Sequence, residues 1–566
     1  MPNNSENSDA FAKYLCIAYK DIYGNAEKPS FQELFSGIPT KVIVEVISHF
    51  MALIHTDEMD FQKQIETLKI WIGRLPSSDI SQLQTALKKA QASSNDKVLF
   101  FTNTSSLYFL EMAVSHYCEG EPRNLSPDEE LRLFKAYLLI TEQWTENQAN
   151  FLTDKKVSND QEALEYILPF LIPYYEIQTH KDFRWQIIKA IYFFKFLEQN
   201  NDLGRYLQNF LGKFHAENWF EFLKHILTGY VLLASSNQKA SIITVGDEHT
   251  SFRSFLNELS IDVNNFTIKE DFLSLREKPI FKMSESSFAF FNFNFMIDKL
   301  FQSIQFDFAN ILQEQGVVSN FGDFKSRYYS KEFSERFLLY GLIDYLIGKR
   351  KLVKLNGDQL AQKIGEEGPD YYIRFGNKIF VIEFKDVLMA AKAKLSYDFS
   401  KLKEDIYKKL VVNERGSPKG VSQLYNFITK LSKDGFEFDK FDASQARIYP
   451  VLIVTDSAYN SFGINWQLNN EFRKMFTSPP IGRVNDVIVV HLDTLLRFQD
   501  EFHDRKFVCA DSFDAYELFT KKSGAPFDKF LSYSQFLPDY LKSKGIELSY
   551  SPRIIMKEFG SRLPTS

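Results

Sequence analysis

The chain has only three cysteines, Cys16, Cys118 and Cys509. They are far apart and odd in number, so they make neither a disulfide framework nor a Cys-x-x-Cys metal site. A reducing, cytoplasmic setting is expected. The opening MPNNSENSDA is polar and acidic and lacks the basic start and apolar core of a secretory signal. No uninterrupted apolar run reaches about 18 residues, so neither a membrane-spanning helix nor a membrane partner is expected. Glycine is scarce, 24 residues against 56 Phe and 27 Tyr. There is no Gly-x-x-x-x-Gly-Lys-Ser/Thr loop for a nucleoside triphosphate, no dinucleotide-type glycine loop and no Gly-x-Ser-x-Gly elbow. The nine His form no His-x-x-x-His pair. A formal charge of -6 argues against a uniformly basic nucleic-acid coat, while leaving room for a local basic groove.

What remains is a chain of 566 residues, 44% apolar and 25% charged, long enough for two or three domains and ordinary enough in composition to fold nearly throughout. Residues 10 to about 300 read mostly as helices rich in large rings. In SPDEELRLFKAYLLITEQW, Ser126 can cap, Pro127 takes the first helical position and Glu129 can complete a capping box. FRWQIIKAIYFFKFLEQ and NWFEFLKHILTGYVLLA are equally apolar and lack a two-residue alternation, and no fixed-period repeat emerges.

After about residue 325 the pattern changes. SKEFSERFLLYGLIDYLIG reads as a helix, LVKL as a short strand, PDYYIRFGNKIFVIEFKD as a hairpin, GVSQLYNFITKL as a helix, and RIYPVLIVTD and NDVIVVHL as buried strands. This order predicts a mixed sheet flanked by helices, preceded by a large mainly α-helical region.

The hairpin carries the chemistry. Gly376-Asn377 suits a two-residue type II′ turn, which pairs Phe375 with Lys378 and therefore sets Asp370 opposite Glu383. Strand alternation adds Lys385 to that face and sends Phe380, Ile382 and Phe384 to the other. Two opposed carboxylates repel and are costly to bury unless a cation neutralises them, and hard oxygen ligands suit Mg²⁺ or Mn²⁺. Lys385 could orient or deprotonate an attacking water, or balance charge developing on a phosphorane. The preceding helix offers Glu335 or Glu332 as a further carboxylate. Glu335 is favoured because it shares the stripe of Leu338, Leu339, Leu342 and Leu346.

Pro369-Asp370, then Glu383-Phe384-Lys385 on the next strand of a hairpin, after a helix bearing a glutamate, resembles the PD-(D/E)XK or restriction-endonuclease-like nuclease superfamily. The resemblance covers roughly residues 325 to 500. It implies a restriction-endonuclease-like α/β fold, in which Asp370 and Glu383 bind the divalent metal, Lys385 supports the nucleophilic water and Glu335 is an auxiliary ligand. GVSQLYNF resembles the Gln-bearing helix of RecB-like members in Gln423 and Leu424, implying substrate binding by Gln423, although Phe427 stands where tyrosine is usual. From Lys392 to Lys433, ten Lys or Arg face four Asp or Glu, an excess that can follow a phosphate backbone.

The expected function is thus metal-dependent hydrolysis of phosphodiester bonds, with Mg²⁺ or Mn²⁺ as cofactor and DNA as the first choice of nucleic-acid partner. By analogy the setting is prokaryotic restriction or phage defence. The expected division is a helical region, 1–300, for sensing, dimerisation or substrate selection, a nuclease-like domain, 301–510, and a C-terminal segment, 511–566. Self-association or an activating partner protein falls to the helical region. The competing reading is a non-catalytic nucleic-acid-binding or scaffold protein that keeps a nuclease-like fold.

Overall fold

The helix start expected at Ser126 forms as read. Ser126 N–H donates to Glu129 Oε2 at 2.8 Å, Glu129 N–H donates to Ser126 Oγ at 3.3 Å, and the helix runs over Pro127–Ala149. The computed structural model describes residues 15–54, 58–94, 98–149, 158–178, 181–235, 241–366, 368–434, 438–477, 482–504, 509–522, 527–549 and 551–560. The chain divides into two compact units, Met1–Lys155 with Gln208–Ser303, and Lys156–Leu207 with Ile304–Ser566.

These bounds differ from 1–300, 301–510 and 511–566, and aromatic packing is the reason. Helix α1 (Phe183–Gln199) sets Phe193 and Phe196 against Phe333, with ring centroids 4.9 and 5.5 Å apart, which ties residues 156–207 to the second unit. The helix Cys509–Lys522 brings Phe513 to 6.2 Å from Phe380, which does the same for the C-terminal segment.

The first unit is mainly helical around a ring cluster that includes Trp71, Phe101 and Tyr137. It also holds two small sheets: Leu15–Cys16 parallel to Val98–Leu99, and antiparallel Ile242–Thr244, Ser287–Phe290 and Ile280–Lys282. Strands this short show no alternation against a helical background, so the pattern of large apolar residues hides them. Among the described residues no helix is long and apolar enough to cross a membrane.

The second unit carries a six-stranded mixed sheet. Its strands are β1 (Val353–Asn356), β2 (Tyr371–Phe375), β3 (Lys378–Lys385), β4 (Arg447–Val454), β5 (Arg483–Val484) and β6 (Ile488–His491). β1, β2 and β3 pair antiparallel in sequence, β3 pairs parallel with β4, and β5 and β6 both pair parallel along the far side of β4. β3 is thus an interior strand, as the apolar run KIFVIEF requires. A π-helix, Lys325–Leu339, continues into α2 (Tyr340–Ile347). Between β3 and β4 the chain forms α3 (Gly420–Asp434), which packs on both strands.

Glu58 and Glu111 are buried in the first unit with no ion pair among the described residues. Burial pushes Glu58 up to about 7, against the Asn103 Nδ2 donor at 2.6 Å. Burial, then the negative charge of Asp271, pushes Glu111 up to about 8. The folded state keeps protons that the unfolded chain releases, so the stabilising term is whole below the ordinary carboxylate range and is lost as pH climbs through these values. Each group contributes a slope of at most about 1.4 kcal/mol per pH unit in that window. Thermal unfolding followed from about pH 5 to about pH 9 is expected to show a falling midpoint, and Glu111→Gln to flatten the fall. An equally steep decline in the variant would show that Glu111 does not contribute to it.

Candidate active site

The turn fixes the site. Gly376 has φ +60°, and Phe375 pairs with Lys378 and Tyr371 with Ile382. Asp370 precedes β2 by one residue, so the same register carried one step further sets it against Glu383. Asp370 Oδ2 accepts the Phe384 N–H at 2.6 Å, which anchors it across the hairpin. Lys385, two residues beyond Glu383 on the same face, donates its Nζ to Glu383 Oε1 at 2.5 Å. Glu383 is 1% exposed, and its other oxygen, Oε2, is buried without a hydrogen-bond partner. Asp370 keeps part of its surface in solvent while its carboxylate is ringed by protein.

Glu335 comes to these groups by an unexpected geometry. In the π-helix Tyr340 N–H bonds the Glu335 carbonyl, five residues back. The Tyr340 hydroxyl also donates to Glu335 Oε1 at 2.6 Å. That hydroxyl lies beside Asp370, since a Cβ placed on Gly357 would stand 2.8 Å from it and 3.4 Å from Asp370 Cα. Glu332 is engaged elsewhere: Arg336 takes it at 2.6 Å and takes Asp358 at 2.7 Å. Of the two candidate carboxylates, Glu335 is the one whose charge is felt at Asp370, Glu383 and Lys385. The π-helix also clamps the end of β3. Ser334 and Thr455 both donate to the Asp386 carboxylate, and Lys325 Nζ donates to its carbonyl at 2.9 Å.

The electrostatics follow. Asp370 is pushed well above the usual carboxylate range, by burial first, then by the charge of Glu383 opposed by Lys385, with Glu335 adding to the rise. Glu383 is raised by burial and by Glu335, while Lys385 and Lys419 oppose the shift. Burial works against the Lys385 ammonium, but the three surrounding carboxylates outweigh it and the net shift is upward. In the metal-free protein Lys385 is thereby held in its charged form, which suits orientation and charge balance.

Gln423 lies one turn into α3, half-buried, with Oε1 shut from solvent and without a hydrogen-bond partner. Its face of α3 meets the face of the sheet that bears Glu383. Gly420 sits on Leu452, the β4 residue in register with Glu383, and Phe427 lies 6.2 Å from Tyr372 of β2. Phe427, where a tyrosine would offer a hydroxyl, is a packing residue here.

Glu383 Oε2 and Asp370 Oδ1 are left with no hydrogen bond among the described residues, and two such hard oxygens fit a divalent cation that keeps several waters. No three His, Cys, Asp or Glu side chains stand in a ready-made cluster among the described residues. Tyr340 and Lys419 were not singled out from the sequence. Tyr340 is aligned with Glu335 only by the π-helical turn, and Lys419 is hidden in a basic run, its one distinguishing mark being the glycine that follows it. No protein-family model matches the chain, and no curated protein or solved structure matches it significantly.

Because the Asp370 carboxyl is raised, ionising it opposes folding of the metal-free protein. Asp370→Asn keeps an oxygen for the Phe384 N–H and removes the charge. It is expected to raise thermal stability near neutral pH by on the order of 1–3 kcal/mol. The gain should vanish as pH falls below the unfolded carboxylate range near 3.8, where both side chains are neutral in both states. Melting curves at both pH values test this, and a loss of stability at neutral pH would contradict the charge assignment.

Proposed function

We propose that this protein is a metal-dependent nuclease of the PD-(D/E)XK kind, hydrolysing phosphodiester bonds in nucleic acid, with DNA as the preferred substrate. One observation carries the reading. Asp370, Glu383 and Lys385 meet on one face of an interior strand, where burying so many charges without function would be a pure loss of stability. The helix, three antiparallel strands, helix and parallel strand around them agree with a restriction-endonuclease-like fold, which supports the reading without carrying it alone.

Asp370 and Glu383 would hold Mg²⁺ or Mn²⁺ through their free oxygens, with Glu335 as an auxiliary ligand once it turns from Tyr340. When bound, such an ion polarises phosphoryl oxygens and favours ionisation of water. Lys385 keeps Glu383 oriented through its ion pair and presents a fixed positive charge to the phosphorus centre as negative charge builds there. Gln423 Oε1, an acceptor with nothing to accept, suits a water or the substrate's own donor groups. The apolar packing of α3 over β3 keeps bulk solvent from Glu383 and so strengthens each of these interactions. The first unit would select or sense the substrate, alone, by self-association or with an activating partner. By analogy with nucleases joined to large helical regions, the cellular role is prokaryotic restriction or phage defence in the cytoplasm.

The test is cleavage of supercoiled plasmid, linear duplex, single-stranded DNA and RNA with Mg²⁺, Mn²⁺ or EDTA. Cutting is expected with either ion and not with EDTA. Lys385→Ala and Asp370→Ala are each expected to lower the rate by about 100-fold or more. Nucleic-acid binding that is indifferent to metal, with no cleavage of any substrate, would favour the scaffold reading instead. Wild-type rates in both variants would remove the site.

A further inference from the structure

Resting on the nuclease reading above, we infer that Lys419 is a substrate-phosphate ligand of this site, placed over β4 to take the phosphodiester once a divalent cation is bound. The argument begins with where α3 starts. Gly420 has φ +35°, and a Cβ there would stand 2.6 Å from the Leu410 carbonyl oxygen and 3.3 Å from Leu452 Cδ1. The chain thus enters α3 pressed onto Leu452, and Leu452 is the residue paired with Glu383. Lys419 precedes that contact directly. Its backbone is held on both sides, with its N–H donating to Val411 O at 2.8 Å and its carbonyl accepting from Ser422 N–H at 2.8 Å.

The side chain is half-buried and makes no ion pair or hydrogen bond among the described residues, yet its charge reaches Glu383. Other lysines of the basic run are held by acids of the chain. Lys408 pairs with Glu414, Lys409 with Asp405, and Lys430 with Glu366. An ammonium whose backbone is fixed against the strand next to Glu383, close enough for its charge to be felt there and with no ion pair among the described residues, is poised for an anion that is absent from the chain itself.

Charge balance gives the same result. With all three acids ionised, as cation binding requires, Asp370, Glu383 and Glu335 against Lys385 leave two negative charges, which one divalent cation cancels. A phosphodiester then brings one negative charge more into a low-dielectric site, and the cation at hand is Lys419. The alternative is a purely local role, in which Lys419 only eases the ionisation of Glu383.

The two roles differ in their salt dependence. Binding of a short fluorescent DNA duplex by the full chain, measured in Ca²⁺ across a salt series, is expected to weaken about 10-fold in Lys419→Gln. The slope of log affinity against log salt is expected to fall by about one, since one phosphate contact is lost. Lys419→Arg should restore both. In cleavage assays KM should rise more than kcat falls. If the wild type cuts DNA and Lys419→Gln keeps the wild-type salt slope, Lys419 is only the charge partner of Glu383 and the inference is wrong. If the wild type neither cuts nor binds DNA, the nuclease reading fails and this inference falls with it. Thermal unfolding of both variants separates a folding defect from a lost contact, because Lys419→Arg keeps the charge and length that a folding role would need.

Discussion

The second unit is organised around one costly fact: the carboxylate of Glu383 is buried in the middle of a sheet. An isolated charge there would cost several kcal/mol. Lys385 compensates one oxygen and leaves the other without a donor. The neighbours on that face add to the problem instead of solving it, since Asp370 stands across the hairpin and Glu335 is brought up from the π-helix. A fold selected for stability alone would place apolar residues at these positions, as it does at Ile379 and Val381 on the same face of the same strand. The excess of negative charge is the feature that makes a cationic ligand, and then an anionic substrate, the natural completion of the site.

Much of this was legible in the sequence because strand geometry is short-ranged and exact in period. Gly376-Asn377 sets the turn, the turn sets the register, and a register shifted by one residue would have sent Asp370 to the opposite face. The apolar run around Glu383 marked an interior strand for the same reason: both faces are covered, so alternation between polar and apolar residues disappears. The less legible parts depend on contacts distant in sequence or on a rarer backbone. Nothing local announces that α1 packs on the π-helix, since the rings of Phe193 and Phe196 would suit any aromatic core. The basic run from Lys392 reads as one charged surface, and only the fold shows which lysines are paired with acids and that the charge of Lys419 is felt at Glu383.

The π-helix is the clearest case of a residue placed by a geometry that an α-helical stripe does not show. An α-helical stripe groups Glu335 with Leu338, Leu339, Leu342 and Leu346, all four of which are buried. It gives no role to Tyr340, because residues five apart point to different sides of an α-helix. A turn closed by five-residue hydrogen bonds brings them together, so the Tyr340 hydroxyl holds the glutamate that the site needs. Such a ladder is less favourable than an α-helical one, and tertiary contacts must compensate. The packing of Phe193 and Phe196 on Phe333 and the bonds from Ser334 and Lys325 to Asp386 supply them. The aromatic richness that first suggested a helical core therefore has a specific task in the second unit, which is to keep an uncommon helix in register with the end of β3.

The raised carboxyls connect this architecture to the chemistry. Asp370 and Glu383 both favour the protonated form relative to a free carboxylate, and a divalent cation can be held only by the ionised form. A cation held there would have to displace the proton that these carboxyls favour. Without a metal ion the same carboxylates hold Lys385 in its charged form. Its ion pair makes it the counter-charge that lets Glu383 exist in the core. The hairpin register holds all three groups together, with Asp370 bonded to the Phe384 N–H and Lys385 to Glu383.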